Sequence, residues 1–194
     1  MNPLLPADPV AVAFKEWAGV CAALSSGRQA IILRKGGVEE GPGGFSPEHP
    51  AFWLYPTFLH EGEQGLKWPS GRVPPADPGV VPVDTLAVVE SVRRVDSAEF
   101  LPRLDPLHAW TEETARKRFD YRSPGLWVLG VRIYRRPEPA RLAVTPAYLG
   151  CKSWVPLDEP IPVTGLVPVR TEAEAEADRE RLADALHPAP GRAS

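Results

Sequence analysis

Alternating hydrophobic and polar positions predict several β-strands along this chain of 194 residues. The clearest alternation covers residues 126–135, where Arg132 and Tyr134 fall on the same face. Further strands are predicted where β-branched and aromatic residues are concentrated, over residues 29–34, 51–55, 83–95, 140–144 and 150–155. Strands therefore dominate the predicted secondary structure.

Helical spacing is present at fewer places. Apolar residues recur at three- and four-residue steps between Phe14 and Leu24, which predicts a helix over residues 11–25. Thr111 and the two glutamates after it predict a helix that runs through Phe119. A helical turn is predicted within residues 99–105 and a terminal helix over residues 171–186. Because strands and helices do not alternate regularly, the pattern indicates an α+β fold with a few flanking helices and a mostly antiparallel sheet, which can curve toward a small barrel.

Composition indicates one globular domain. Hydrophobic residues make up 43% and charged residues 24% of the chain, and the 24 prolines favour long loops over an all-helical fold. We expect a proline-containing lead over residues 1–11, a single domain over 12–157 and an acidic tail with a helix over 158–194. The beginning of the chain lacks the features of a signal peptide, and no apolar run is long enough to cross a bilayer, so a cytoplasmic protein without a membrane anchor is expected.

Basic residues lie beside glycines and aromatic residues in two blocks, residues 33–57 and 148–154. Residues 116–152 contain nine basic and two acidic residues, a net charge of +7, although the whole chain carries −3. Lysine and arginine bind phosphate, and aromatic rings stack on bases, so this combination favours a nucleic acid or a nucleotide; a solvated basic face explains the charge equally well. The predicted nucleic-acid-binding residues are Arg34, Lys35, Trp53, Arg116, Arg132, Tyr134, Lys152 and Trp154.

No complete catalytic motif is present. Asp84 and Glu90 begin the pattern of a restriction-type nuclease, but Val92 stands where that pattern needs lysine. His60, Glu61 and Lys152 are the candidate catalytic residues, although adjacent residues such as His60 and Glu61 do not face each other in regular structure. The four histidines and two cysteines have no metal-binding spacing, and no cofactor motif is found, so neither a metal nor a cofactor is expected.

Several short stretches combine aromatic, basic and glycine residues: 14–17, 33–37, 52–57 with His60, 118–121, 132–134 and 150–155. Together they resemble an uncharacterised bacterial family, domain of unknown function 1802, and the resemblance covers roughly residues 12–157. Because the family has no established activity, the resemblance implies no reaction. Some members are similar to proteins associated with restriction-type endonuclease domains, which implies work on DNA.

Three functional hypotheses follow from the sequence. The first is a nucleic-acid- or nucleotide-binding module, accessory to DNA restriction or repair, with DNA or a nucleotide as its partner. The second is a small hydrolase or nuclease that uses His60, Glu61 and Lys152. The third is a protein-interaction module whose aromatic residues all belong to the core. The sequence does not indicate the reaction or the oligomeric state.

Overall fold

The computed structural model describes residues 5–6, 9–35, 49–58, 65–69, 71, 74–150 and 152–187. Within these residues the strands are β1 (Val10–Trp17), β2 (Ile31–Arg34), β3 (Ala51–Thr57), β4 (Val80–Val95), β5 (Leu126–Ala143), β6 (Trp154–Ile161) and β7 (Val167–Pro168). The helices are α1 (Ala18–Ser25), α2 (Leu101–Leu104), α3 (Glu112–Asp120) and α4 (Glu172–Leu186). Short 3-10 turns flank α2 at Ala98–Phe100 and Asp105–Leu107, and another follows β5 at Pro146–Tyr148.

The described strands form one sheet in the order β2–β5–β4–β3–β1–β6. β7 pairs with β5 on the same edge as β2. β1 and β3 are parallel, and the other pairs are antiparallel. This arrangement confirms the predicted α+β fold with a mostly antiparallel sheet. In the described part of the chain β2 and β6 lie at opposite edges, so the sheet stays open rather than closing into a barrel.

The first strand is where the sequence-based prediction was wrong. Residues 10–17 form β1, and only residues 18–25 of the predicted helix are helical. β1 pairs in parallel with β3, with Ala13 opposite Trp53, and antiparallel with β6. These partners are distant in sequence, and a sheet position between two strands outweighs a local spacing that also fits a helix.

β3 separates two apolar cores on the two faces of the sheet. Phe52 and Leu54 belong to a core that also contains residues of α1, α2, α3 and α4. Trp53 and Tyr55 belong to a second core on the other face. The predicted alternation in this strand is therefore confirmed, and both sets of side chains are buried. The strand also continues through Pro56, where the sequence predicted its end.

β4 and β5 form the longest pairing in the sheet. The pairing runs from Val80 opposite Ala143 to Val95 opposite Leu126, with shifts of register near Val83 and Val89. The strand predicted over residues 140–144 is the end of β5 rather than a separate element. Such irregularities let a long strand bend and increase its local twist.

Both longer helices predicted in the second half of the chain are present. Thr111 caps α3, because its Oγ1 accepts the backbone N–H of Thr114 at 3.3 Å. α4 begins after Thr171 with reciprocal hydrogen bonds between Thr171 and Glu174. Leu182 and Ala185 of α4 are buried in the first core, so the helix lies against the sheet rather than apart from it. β6 likewise runs beyond residue 157, to Ile161.

Candidate functional site

Two strand ends and one helix bring five side chains together, here called the Arg118 cluster: Glu16, Trp17, Arg34, Trp110 and Arg118. Glu16 and Trp17 are the last two residues of β1, and Arg34 is the last residue of β2. Arg118 lies on α3, and Trp110 immediately precedes the cap of that helix. Sheet pairing therefore places the two strand ends of the cluster, and the packing of α3 places the guanidinium of Arg118.

Glu16 is the buried acid of the cluster, and only 4% of its surface is exposed. One carboxyl oxygen, Oε1, accepts the backbone N–H of Trp17 at 2.7 Å, and Oε2 lies 3.7 Å from Nη1 of Arg34. Burial raises the pKa of Glu16, while Arg34, the Trp17 N–H and Arg118 lower it. A carboxyl in this position reduces the repulsion between two guanidinium groups and lets them lie near one another.

Arg118 is held by two tryptophan rings. The centre of its guanidinium lies 4.4 Å from the ring centroid of Trp17 and 5.3 Å from that of Trp110. Among the described residues, no hydrogen-bond or ion-pair acceptor lies within bonding distance of this group. Burial lowers the pKa of Arg118, Glu16 opposes this effect and Arg34 adds to it. Because arginine stays charged in proteins, these influences describe a cation that would gain from an anionic partner.

Arg34 connects the cluster to an aromatic wall. Its guanidinium lies 4.6 Å from the ring centroid of Phe14, and its Nη2 donates to Ser153 Oγ at 2.6 Å. The ring of the next residue, Trp154, lies 4.6 Å from Phe14 and 5.1 Å from Phe52. Trp154 is half-buried. Two of the predicted binding residues, Arg34 and Trp154, therefore lie at one site.

The ammonium group of Lys35 binds backbone carbonyls near the end of α3. It donates to the backbone carbonyls of Phe119 at 2.8 Å and Gly125 at 2.9 Å, and also to that of Ser123. These carbonyls lie at and beyond the end of α3, where backbone acceptors lack partners within the helix. All three protons of the ammonium are thus used to hold the end of α3, which carries Arg118.

The other predicted cations are spread over the molecule. Arg132 is 4% exposed and donates to both carboxyl oxygens of Glu172 at 3.2 and 3.0 Å. Arg116 is exposed on α3 and pairs with Asp120 at 2.7 Å. Lys152 is exposed, two residues before Trp154. Of these, only Lys152 adjoins the aromatic wall along the chain.

Two predicted stacking residues lie in the protein interior. Trp53 and Tyr134 each have 0% of their surface exposed and belong to the second core. A base cannot reach either ring while this core is packed. The candidate catalytic residues His60 and Glu61 lie outside the described residues, so the described geometry does not place them beside Lys152.

Four residues of the cluster are absent from the sequence-based prediction: Glu16, Trp17, Trp110 and Arg118. Three of them lie in the stretches 14–17 and 118–121, which carry the family resemblance. The membership of these residues in the two stretches is the feature of the sequence that could have identified them as site residues. Trp110 has no comparable signal, because a lone tryptophan is more often a core residue.

Within the described ranges, no group of three or more histidine, cysteine, aspartate or glutamate residues is placed to hold a metal ion. No helix in the same ranges is both long and apolar enough to cross a membrane. The Arg118 cluster itself presents guanidinium donors, one buried carboxyl and aromatic surface.

The chain belongs to the family described as Domain of unknown function (DUF1802), whose model matches residues 13–181. This match confirms the family resemblance and extends into α4. No curated protein matches the chain. The fold comparison finds the crystal structure of ASCH from Zymomonas mobilis, with a TM-score of 0.41 and 13% identity over 89% of this chain and 93% of that one. A mutant of that protein, in which one serine is replaced by alanine, gives a TM-score of 0.42 and 14% identity over 90% and 98% of the two chains.

Proposed function

We propose that this protein is a nucleic-acid- or nucleotide-binding module whose phosphate-binding group is the guanidinium of Arg118. The supporting observation is the state of that group. Two tryptophan rings hold it in place, and no described residue offers it an acceptor. A planar donor that is already oriented and partly desolvated binds phosphate oxygens strongly and loses little side-chain freedom in doing so.

The charge of the Arg118 cluster favours an anion. Arg34 and Arg118 bring two positive charges, and Glu16 brings at most one negative charge, which burial disfavours. An anionic ligand would therefore enter a site of net positive charge. Glu16 acts here as a positioning residue, since its carboxyl lies beside Arg34 and influences both guanidinium groups.

Aromatic surface distinguishes a nucleotide from a bare anion as the ligand. Trp17 and Trp154 are both half-buried. Trp17 contacts the guanidinium of Arg118, and Trp154 follows Ser153, whose hydroxyl accepts a hydrogen bond from Arg34. A nucleotide supplies a phosphate for the guanidinium groups and a flat base for a tryptophan ring. Inorganic phosphate supplies only the first of these.

Fluorescence anisotropy with labelled single-stranded DNA, duplex DNA and single-stranded RNA tests the proposal at low and moderate salt. We expect Arg118→Gln to weaken binding by about 10- to 100-fold, the usual value of a charge-assisted hydrogen bond. Arg116→Gln is the matched control. Arg116 carries the same charge on the same helix, but it pairs with Asp120 and does not contact the tryptophans. We expect Arg116→Gln to change the affinity less than about threefold. The slope of log affinity against log salt concentration should fall by no more than the value of one phosphate contact.

Two results would contradict the proposal that Arg118 binds the phosphate of a nucleic acid. Absence of binding to every probe at low salt would remove nucleic acid as the ligand. Equal losses from Arg116→Gln and Arg118→Gln would point to a diffuse basic surface instead of the Arg118 cluster. Competition by nucleoside monophosphates, and not by inorganic phosphate, would assign the tryptophans a role in stacking.

A narrower form of the proposal is an accessory role in DNA restriction or repair. The association of similar proteins with restriction-type endonuclease domains supports it. The same titrations then give tighter binding to DNA than to RNA of equal sequence, and a difference between methylated and unmethylated duplexes. A preference for RNA would remove this role and leave nucleic-acid binding intact.

A further inference from the structure

A cavity lies between α4 and the sheet, apart from the Arg118 cluster. Its volume is about 370 Å³, and no residue of that cluster lines it. The sheet side comes from β4 and β5, and the other sides come from the end of α1 and the residues after it, the segment before α4, and α4 itself. Pockets that hold small organic molecules have volumes in this range.

The apolar part of the cavity wall is aliphatic. Leu24, Ile133 and Leu182 line it and are buried members of the first core. Val169 and Leu186 are partly buried and extend this surface. Among the described residues of the lining there is no phenylalanine, tyrosine or tryptophan. A hydrocarbon chain gains from burial against such a wall, whereas a flat base finds no ring on which to stack.

Three of the four described arginines in the wall pair with carboxylates of the protein itself. The pairs are Arg132 with Glu172, Arg170 with Asp178, and Arg179 with Glu90 and Glu172, and the shortest nitrogen–oxygen distance of each is 3.0 Å. Glu176 and Arg181 extend this network, which thus joins four arginines to four carboxylates. Its charges balance, and only 4% of Arg132 is exposed, so a ligand would have to compete with existing partners there.

Arg93 is the fourth arginine of the wall, and its charge is left over. It is exposed and also lines the cavity, so it lies where the cavity opens to solvent. Its Nη1 donates to the backbone carbonyl of Val92 at 2.9 Å, and no carboxylate of the described residues pairs with it. His187, also in the lining, counts as neutral at pH 7. The mouth of the cavity therefore carries one unpaired positive charge, and a guanidinium is suited to a carboxylate.

We propose that this cavity binds an aliphatic carboxylate, with its hydrocarbon chain against Leu24, Ile133 and Leu182 and its carboxylate at the mouth beside Arg93. The single excess charge selects a ligand with one negative group. The aliphatic wall selects a hydrocarbon chain over an aromatic ring. The site is separate from the proposed nucleic-acid interface and does not depend on it.

Octanoate is the test probe, with octylammonium and butanoate as comparisons. Octylammonium has a chain of the same length and the opposite charge, and butanoate has the same charge and half the chain. NMR titration of the full chain at pH 7 should show octanoate binding at least about fivefold more tightly than octylammonium, because only the carboxylate pairs with Arg93. Octanoate should also bind at least about tenfold more tightly than butanoate, which buries less hydrocarbon.

Arg93→Gln tests the contact at the mouth. We expect it to weaken octanoate binding about three- to tenfold, the value of one ion pair close to solvent. Arg94→Gln is the matched control, since Arg94 is the next residue of the same strand, is exposed, pairs with Asp96 and does not line the cavity. It should leave octanoate binding unchanged.

Ala183→Phe tests the cavity itself. It should weaken octanoate binding at least about tenfold, because Ala183 is exposed and lines the cavity, so the ring would occupy the space of the chain. Ala173→Phe is the matched control at an exposed position of the same helix outside the lining, and it should leave binding unchanged.

Four results would each overturn the proposal: absence of octanoate binding, equal affinity for octylammonium or butanoate, equal effects of Arg93→Gln and Arg94→Gln, or no effect of Ala183→Phe. The three probes with the unmodified protein give the decision if a variant fails to fold.

Discussion

At the scale of single residues, the role of a cation depends on which atoms surround it. Lys35 and Arg118 both lie near α3, yet Lys35 donates to backbone carbonyls at its end, whereas Arg118 lies against two tryptophan rings. The sequence shows both as basic residues beside aromatics. Only the contacts show that Lys35 stabilises the end of α3 and that Arg118 has no hydrogen-bond acceptor among the described residues.

His108 gives a prediction at this scale. It is 1% exposed, and neither ring nitrogen has a hydrogen-bond partner among the described residues. Burial lowers the pKa of His108 from 6.5 to about 4, Lys67 adds to this effect and Asp105 opposes it. The unfolded chain thus binds the proton more readily, so the contribution to stability is complete above pH 6.5 and is lost as pH falls toward 4.

Replacing this imidazole removes that pH dependence. His108→Phe should reduce the loss of unfolding free energy between neutral pH and pH 4 by up to about 3 kcal/mol. Urea denaturation of both proteins across this range measures the difference. A variant whose stability differs from wild type by the same amount at both ends of the range would show that His108 does not titrate as described.

At the scale of elements, α4 illustrates how a local signal and a distant contact combine. Thr171 and Glu174 cap its first turn, and this pattern is visible in the sequence. Its ion pairs, from Arg132 and Glu90 in the sheet to Glu172 and Arg179 in the helix, join residues far apart in the chain. The cap starts the helix, and the ion pairs help to hold it over the cavity.

Thr171→Ala should loosen this first turn. Loss of the cap costs about 1 kcal/mol of stability, because the N–H of Glu174 loses its acceptor. Hydrogen exchange should quicken in the first turn of α4 and remain unchanged in α3. Thr171→Ser keeps the hydroxyl and should restore most of the protection, and unchanged exchange in Thr171→Ala would show that the cap contributes little.

At the scale of the whole molecule, the sheet separates two cores, and residues beyond 157 contribute to both. Leu182 and Ala185 are buried in the first core, and Ile161 and Val163 are buried in the second. The family resemblance seen in the sequence implies a domain that ends near residue 157, and the last helix has few apolar residues. Among those few, Ala175, Leu182 and Ala185 are buried.

Shortening the chain tests that boundary. A protein that ends at residue 161 loses Leu182 and Ala185 from the first core and Val163 from the second, so its unfolding free energy should fall by at least about 2–5 kcal/mol. A protein that ends at residue 187 keeps every described contact and serves as the control. Chemical denaturation measures both, and equal stability of the two would favour a domain boundary near 157.

The features that the amino-acid sequence alone predicts are those that depend on neighbouring residues. Alternation predicted β3 and most of β5, the cap Thr111 predicted α3, and a composition rich in Ala, Glu and Arg predicted α4, because these signals act within a few positions. The sequence also singled out Arg34 and Trp154 as candidate binding residues. Only the folded structure shows that residues 10–17 form a strand, that Trp53 and Tyr134 are buried, and that Arg118 lies against Trp17 and Trp110. Those outcomes depend on pairing and packing between distant segments, which no local pattern encodes.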